Sequence, residues 1–427
     1  MCLIRDFSKK VFSKAYLWGY NSLLIFKNWL TLKLAFLTFG AMKKSLFFGL
    51  LLMVSASVFA QDPDSRDKSR YTVNNFAQDD VYTALQIHEP VCVKEPSGKK
   101  VKNIIFMIGD GMGLEQLSTA WIVNNRHLNI TDNFSNVGIQ WTYSHNKLVT
   151  DSAAAGSALA TGSKTRNGKI SVSPDDEPLE TLSEYARSKG KKVGTSVVCR
   201  VCDATPAVFS THSSNRDSLY NIAAQFVDSG IDFLSGGGLK WWENRPDGRD
   251  LTAEAEAKGI TFVKDIESLK AVESTPVIAL TAYKELPPAL DRGTAHQEAV
   301  KKALELLDNK AGFFLMVEGS CIDDYCHANK VGYVVEEILD FDRTVGAVLE
   351  WAAKDGQTLV IVTADHSTGG MTLLDGNVHE HRVGVNFAND GHNGVAVPVY
   401  AWGPHAEDFV GIYENYELSR KIRKLIK

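Results

Sequence analysis

Residues 102–113, Lys102-Asn103-Ile104-Ile105-Phe106-Met107-Ile108-Gly109-Asp110-Gly111-Met112-Gly113, pass from an unbroken apolar run into a glycine-rich turn carrying one acid. A run with no polar face leaves nothing for solvent, so it reads as a strand buried on both sides that ends in a loop. Comparable runs recur at 192–198, 312–317, 358–364 and 395–401. Helical patterns lie at 114–125, 152–161, 179–189, 216–228, 294–308 and 332–353. Buried strands alternating with helices define an α/β fold whose largely parallel central sheet has helices on both faces. Residues 232–293, with Gly236-Gly237-Gly238, Trp241-Trp242 and several prolines, break this alternation and read as an insertion over one edge of the sheet. Nothing in the Trp pair names a substrate, and a packed aromatic pair explains it equally well.

The chain has 427 residues, 44% apolar and 23% charged, which is a globular composition and excludes disorder as its main theme. Its net charge of -5 is unevenly spread. The first sixty residues carry eight Lys or Arg against Asp6 alone, leaving 38 basic and 50 acidic residues, a net -12, on the other 367. An acidic body of this size lacks the basic face a nucleic-acid binder needs. From Met42 to Ala60 two lysines precede an apolar core and small residues ending Val58-Phe59-Ala60, the pattern of a secretory signal peptide cleaved after Ala60. Residues 1–41 are then an upstream extension from a start codon placed too early, 61–100 a polar leader of the mature chain, and 101–427 its single folded domain. Lys27 and Lys33 interrupt Leu23–Gly40, so that stretch does not read as a membrane anchor. The expectation is a periplasmic or secreted protein with no stable membrane insertion after cleavage. Export permits local disulfides among Cys92, Cys199, Cys202, Cys321 and Cys326, and buried thiols fit equally well.

Polar residues gather where the strands end. Asp110 follows the first strand, Glu318 the 312–317 strand and Asp365-His366 the 358–364 strand, while His392 precedes the last. In doubly wound sheets, ligands bind outside the carboxyl ends of the strands. Asp323 and His327 stand four apart, so on a helical turn they share a face and can grip one ion. Mixed His and Asp ligands suit zinc, whereas an oxygen-only set such as Asp110 with Glu318 suits magnesium. Ser152 opens an Ala-rich helix whose unpaired backbone N–H groups favour an anion, although as an isolated feature it is more often an N-cap. With no histidine in sequence reach, its activation would fall to a metal. Gly156 to Thr165 imitates a phosphate-binding Walker loop, but the glycine spacing is one residue too long and Ser163 separates Gly162 from Lys164.

Asp110 in its strand-Gly-Asp-Gly context, Thr150-Asp151-Ser152-Ala153, Asp203-Ala204-Thr205-Pro206 followed by Arg216, Glu318 with Asp323 and His327, Asp365-His366 and His392 together resemble the alkaline phosphatase family, bacterial type. The resemblance implies two zinc ions, one on Asp323, His327 and His392 and the other on Asp365, His366 and Asp110, with Ser152 beside the second. It further implies a magnesium ion on Asp110, Thr205 and Glu318, with Asp203 holding one of its waters, and Arg216 clamping two phosphate oxygens. It implies hydrolysis of small phosphate monoesters through a phosphoserine on Ser152, with net retention from two in-line displacements, and often a homodimer. A sulfatase would need a Cys/Ser-x-Pro-x-Arg signature, which Ser152-Ala153-Ala154 lacks. Diesterases of the superfamily usually carry Thr as nucleophile without the Arg216 and magnesium equivalents. A non-catalytic exported zinc-binding protein would have no need of Ser152.

One position departs from the pattern. After the metal-binding aspartate the family commonly has Lys or His helping to hold phosphate through water, and here Asp324 stands. A carboxylate there should weaken phosphate binding. Asp324→Lys is therefore expected to lower the inhibition constant for inorganic phosphate, and an unchanged constant would remove that role from Asp324.

Overall fold

The computed structural model describes residues 81–85 and 87–427. The extension, signal peptide and first part of the leader lie outside these residues. The strands are β1 (Val81–Thr83), β2 (Asn103–Gly109), β3 (Asn136–Trp141), β4 (Lys192–Arg200), β5 (Phe233–Gly237), β6 (Thr261–Val263), β7 (Val277–Ala282) and β8 (Phe313–Gly319). They continue as β9 (Thr358–Thr363), β10 (Ser367–Thr368), β11 (Met371–Asn377), β12 (Arg382–Phe387), β13 (His392–Asn393), β14 (Val397–Trp402) and β15 (Gly411–Glu414). Ten of them form one sheet in the order β15-β3-β14-β9-β2-β8-β4-β5-β7-β6. Within it only β14 is reversed, pairing antiparallel with β3 and β9.

The run that opened the sequence reading occupies the middle of this sheet. β2 is buried along its whole length between β9 and β8, parallel to both. Its alternate side chains feed two separate cores. Ile105 and Met107 join the cluster under the helix Val331–Asp355, while Ile104, Phe106 and Ile108 join the cluster around Phe209 and Phe314 on the other face. A strand with no solvent face needs no polar alternation, which is why the run is continuous.

The expected strands and helices appear with ends moved by a few residues, as frayed termini allow. The segment 232–293 does lie at one edge, but it continues the sheet there through β5, β7 and β6 instead of breaking the alternation. β6 has three residues and β5 ends in glycines, so no long apolar run marks them, whereas β7 does carry one, Val277-Ile278-Ala279-Leu280, set among glycines and prolines. Trp241 and Trp242 are buried, the latter against Phe262 with ring centroids 5.7 Å apart. The leader supplies β1, which pairs with β12 in a three-stranded sheet and is too brief for periodicity to reveal. All five cysteines of the described residues are free thiols. Among the described residues no helix is long and apolar enough to cross a membrane.

Candidate metal and phosphate site

β14 runs opposite to its neighbours, so its beginning lies at the same edge as the ends of β2, β8 and β9. His392, just ahead of β14, thereby meets Asp110, Glu318 and Asp365-His366, which leave the parallel strands. The helix Cys321–His327 follows β8 at once and adds Asp323 and His327. The helix Ser152–Thr161 follows the loop after β3 and adds Ser152. Gly111 has φ +70°, and a Cβ on it would sit 2.8 Å from Asp323 Oδ1, so glycine there lets the two acidic segments close up.

Two clusters share this edge. In the first, Asp323 Oδ2 lies 3.1 Å from His327 Nε2, which lies 3.2 Å from His392 Nε2. His392 Nδ1 donates to the Thr150 carbonyl at 2.8 Å, and His327 Nδ1 donates to the Asp390 carbonyl. Each ring with Nδ1 as donor leaves a lone pair on Nε2, so two lone pairs face one another unless a cation stands between them. Without a metal a proton takes that part: the hydrogen bond to Asp323 pushes His327 up to about 9.

In the second cluster His366 Nε2 is 3.0 Å from Asp365 Oδ2, 3.5 Å from Asp110 Oδ1 and 3.0 Å from Ser152 Oγ. The sequence showed no histidine in reach of Ser152, and the fold supplies one from 214 residues away. Asp110 Oδ1 and Asp365 Oδ2 are buried without a hydrogen-bond donor. Buried carboxylate oxygens without donors are costly, and a divalent cation satisfies them. Asp110 Oδ2 is also 3.4 Å from Thr205 Oγ1, and Glu318 is fully buried at the end of β8 beside the Cys199 thiol. The donor sets therefore fit divalent ions: nitrogen with oxygen in the first two groups, oxygen alone around Asp110, Thr205 and Glu318.

The carboxylates split in their proton affinity. Burial first, then Asp365, Asp323 and Glu318, push Asp110 well above the usual carboxylate range. Burial, with Asp203 and Asp365, likewise raises Glu318 against the donors Ser320 and Cys199. For Asp323 burial is outweighed by hydrogen bonds to His327 and His392, which hold it well below that range. Asp365 also ends low, because His366 outweighs its burial.

Arg216 reaches Asp203 Oδ1 at 3.3 Å and Asp151 Oδ2 at 3.4 Å. Burial opposes its charge, yet Asp203, Asp151 and Asp110 outweigh burial and keep it cationic. Asp151, which the sequence reading passed over, is the actual N-cap, accepting from Ala154 N at 2.9 Å. Ser152 is thus the first residue inside the helix. A capping carboxylate directly before an Ala-rich helix is the signal that could have shown this. Asp324, one residue after Asp323 on the same helix, is open to solvent on one side. There partial desolvation, then Asp323 and Asp203, push it up to about 6.

Fold and site together define an α/β protein, with a mostly parallel sheet, whose acid–histidine centre adjoins a helix-terminal serine. The alkaline phosphatase family model matches residues 101–383. Alkaline phosphatase 4 of Bacillus subtilis (strain 168) is 30% identical, covering 80% of this chain and 92% of its own length. Alkaline phosphatase of Escherichia coli (strain K12) is 29% identical over 75% of this chain and 85% of its own. The structure of alkaline phosphatase from the Antarctic bacterium TAB5 superposes with a TM-score of 0.72 at 37% identity, covering 77% of this chain and all but 1% of its own, 99%. A mutant of the TAB5 enzyme has been described with Mg bound. The chain belongs to the alkaline phosphatase family, and with it to the metal-dependent phosphoric monoester hydrolases.

Repulsion among the buried carboxylates gives a test with opposite signs in the two forms. In chelator-treated protein Asp110→Asn is expected to raise the melting temperature by about 2 °C or more, since it removes the charge the other carboxylates disfavour. In metal-loaded protein the same change should lower it. Calorimetry with and without chelator reads both, and a fall in both forms would contradict the assignment of Asp110 to a cation.

Proposed function

We propose that the protein is an exported phosphatase that hydrolyses phosphate monoesters to an alcohol and inorganic phosphate through a phosphoserine on Ser152. The observation that carries this reading is the placing of Ser152 Oγ at the first turn of a helix, 3.0 Å from His366 Nε2. Support for export is the signal pattern at 42–60.

Asp323, His327 and His392 would hold one zinc ion, Asp365, His366 and Asp110 a second, and Asp110, Thr205 and Glu318 a magnesium ion with Asp203 on its water shell. When bound, these cations supply positive charge to the attacking and leaving oxygens and to the phosphate. The remaining work falls to the chain itself. Ser152 Oγ forms a bond to phosphorus as the ester oxygen departs with the substrate alcohol, and water then cleaves the Ser–O–P bond and frees Ser152. Backbone N–H groups at the start of the helix and the planar fork of Arg216 receive the phosphate oxygens. Asp151 accepts from Ala154 N and Gly168 N, tying the serine turn to Gly168, whose carbonyl accepts from Arg216 N at 2.7 Å. The Thr150 carbonyl and the Asp390 carbonyl fix the ring orientations of His392 and His327. His366 Nε2 faces three oxygens at once, which favours a coordinating role over service as a base to Ser152.

Ser152→Ala is expected to lower turnover of p-nitrophenyl phosphate more than ~1,000-fold while zinc and magnesium contents by elemental analysis stay unchanged. An unaltered rate would contradict the nucleophile assignment.

A further inference from the structure

Arg200 ends β4 and belongs to none of the groups assigned above. Its Nη2 donates to Asp203 Oδ2 at 2.8 Å, and its Nη1 donates to Glu285 Oε1 at 2.5 Å. The guanidinium lies over Trp241, 5.5 Å from the ring centroid. Its Nε is buried without an acceptor, so the charged end is held by these two carboxylates and the ring at the cost of one unmet donor. Glu285 reaches it because β5 ends in glycine. Gly237 pairs in register with Arg200 on one side and Ala282 on the other, and a Cβ on Gly237 would lie 1.8 Å from the Lys284 carbonyl. Glycine at 237 is thus what allows the 284–285 backbone to close over the strand end. Leu286 N then bonds to the Val198 carbonyl at 2.9 Å and fixes the segment there.

Asp203 consequently stands between two arginines, each on its own oxygen. The contact with Arg200 is 2.8 Å, in the range of a strong charge-assisted hydrogen bond, whereas Arg216 holds Oδ1 at 3.3 Å and Asp151 at 3.4 Å, both long for such pairs. Asp203 Oδ1 is further occupied by Ala204 N at 2.8 Å. With Oδ2 taken by Arg200, Asp203 cannot close on Arg216 in a two-pronged pair. We propose that Arg200 is a positioning residue that occupies Asp203 and so keeps the Arg216 fork loose enough to receive phosphate. This rests on the reading of Arg216 as the phosphate clamp. The acidic residue at position 324 sharpens the need: no cation stands directly after Asp323, and the two carboxylates that Arg200 holds, Asp203 and Glu285, are among the charges acting on Asp324.

The test uses full-length metal-loaded enzyme, with p-nitrophenyl phosphate as substrate and inorganic phosphate as inhibitor. Arg200→Ala should raise KM and the inhibition constant for phosphate together, each roughly tenfold, a change of the size expected for one lost charged contact. The fall in kcat should stay within about threefold. Arg200→Lys should recover only part of the loss, because one ammonium cannot span Asp203 and Glu285. Glu285→Gln, which frees the far end of Arg200, should shift both constants in the same direction by about two- to threefold, and it carries the test if Arg200→Ala does not fold. Arg216→Ala is the reference. If it weakens phosphate while Arg200→Ala and Glu285→Gln leave both constants in place, the inference is overturned and the clamp survives. A loss of melting temperature or kcat without movement of the two constants marks a merely structural tie and likewise overturns it. If Arg216→Ala leaves phosphate inhibition unchanged, the clamp reading falls and the inference falls with it.

Discussion

The structure is governed by like charges brought together out of water. Asp110, Glu318, Asp323 and Asp365 leave adjacent strands or the turn beyond them and are all buried. Two unit charges 4 Å apart repel by about 4 kcal/mol at the dielectric of a protein surface, and desolvation adds to this. Protonation relieves part of the load at Asp110 and Glu318, and His366, His392 and His327 relieve it at Asp323 and Asp365. Divalent cations would relieve it throughout. With cations bound there, an acidic body, -12 over residues 61–427, would receive an anionic substrate at its densest negative cluster.

The rest of the fold serves this convergence. A sheet buried on both faces fixes the ends of β2, β8 and β9 side by side, and the reversal of β14 returns His392 to the same edge. Backbone carbonyls set the histidine tautomers, and glycines at 111 and 237 allow approaches that a side chain would block. Around the proposed phosphate position the chain alternates acid and base, Asp151, Arg216, Asp203, Arg200 and Glu285, so each arginine is held by carboxylates on both sides.

The parts legible in the sequence were those with a local signature. The continuous apolar run 104–108 gave β2, and polar residues directly after such runs gave Asp110, Glu318 and Asp365-His366, because a strand's end is marked by the same residues that mark the site. The four-residue spacing of Asp323 and His327 gave a shared helical face. The parts missed depend on contacts between distant segments. Nothing near Ser152 in the chain reports that His366 lies 3.0 Å from it, and nothing near Arg200 reports Glu285. At that end of the sheet β5 ends in glycines and β6 has three residues, so they carry little hydrophobic period, whereas the apolar run of β7 was hidden by the glycine- and proline-rich sequence around it. The partners of the histidine rings are main-chain oxygens, which any residue type supplies and no motif can encode.

The central claim is that this buried, cation-demanding cluster exists to make Ser152 a nucleophile. It is tested most directly by quenching the metal-loaded enzyme in acid during turnover of a phosphate monoester and locating the phosphoryl group by peptide mass spectrometry. The account predicts a phosphoryl group on the peptide bearing Ser152, at Ser152 Oγ. A phosphoryl group on His366 or another residue, or undiminished turnover with no phosphorylated peptide at any quench time, would contradict it.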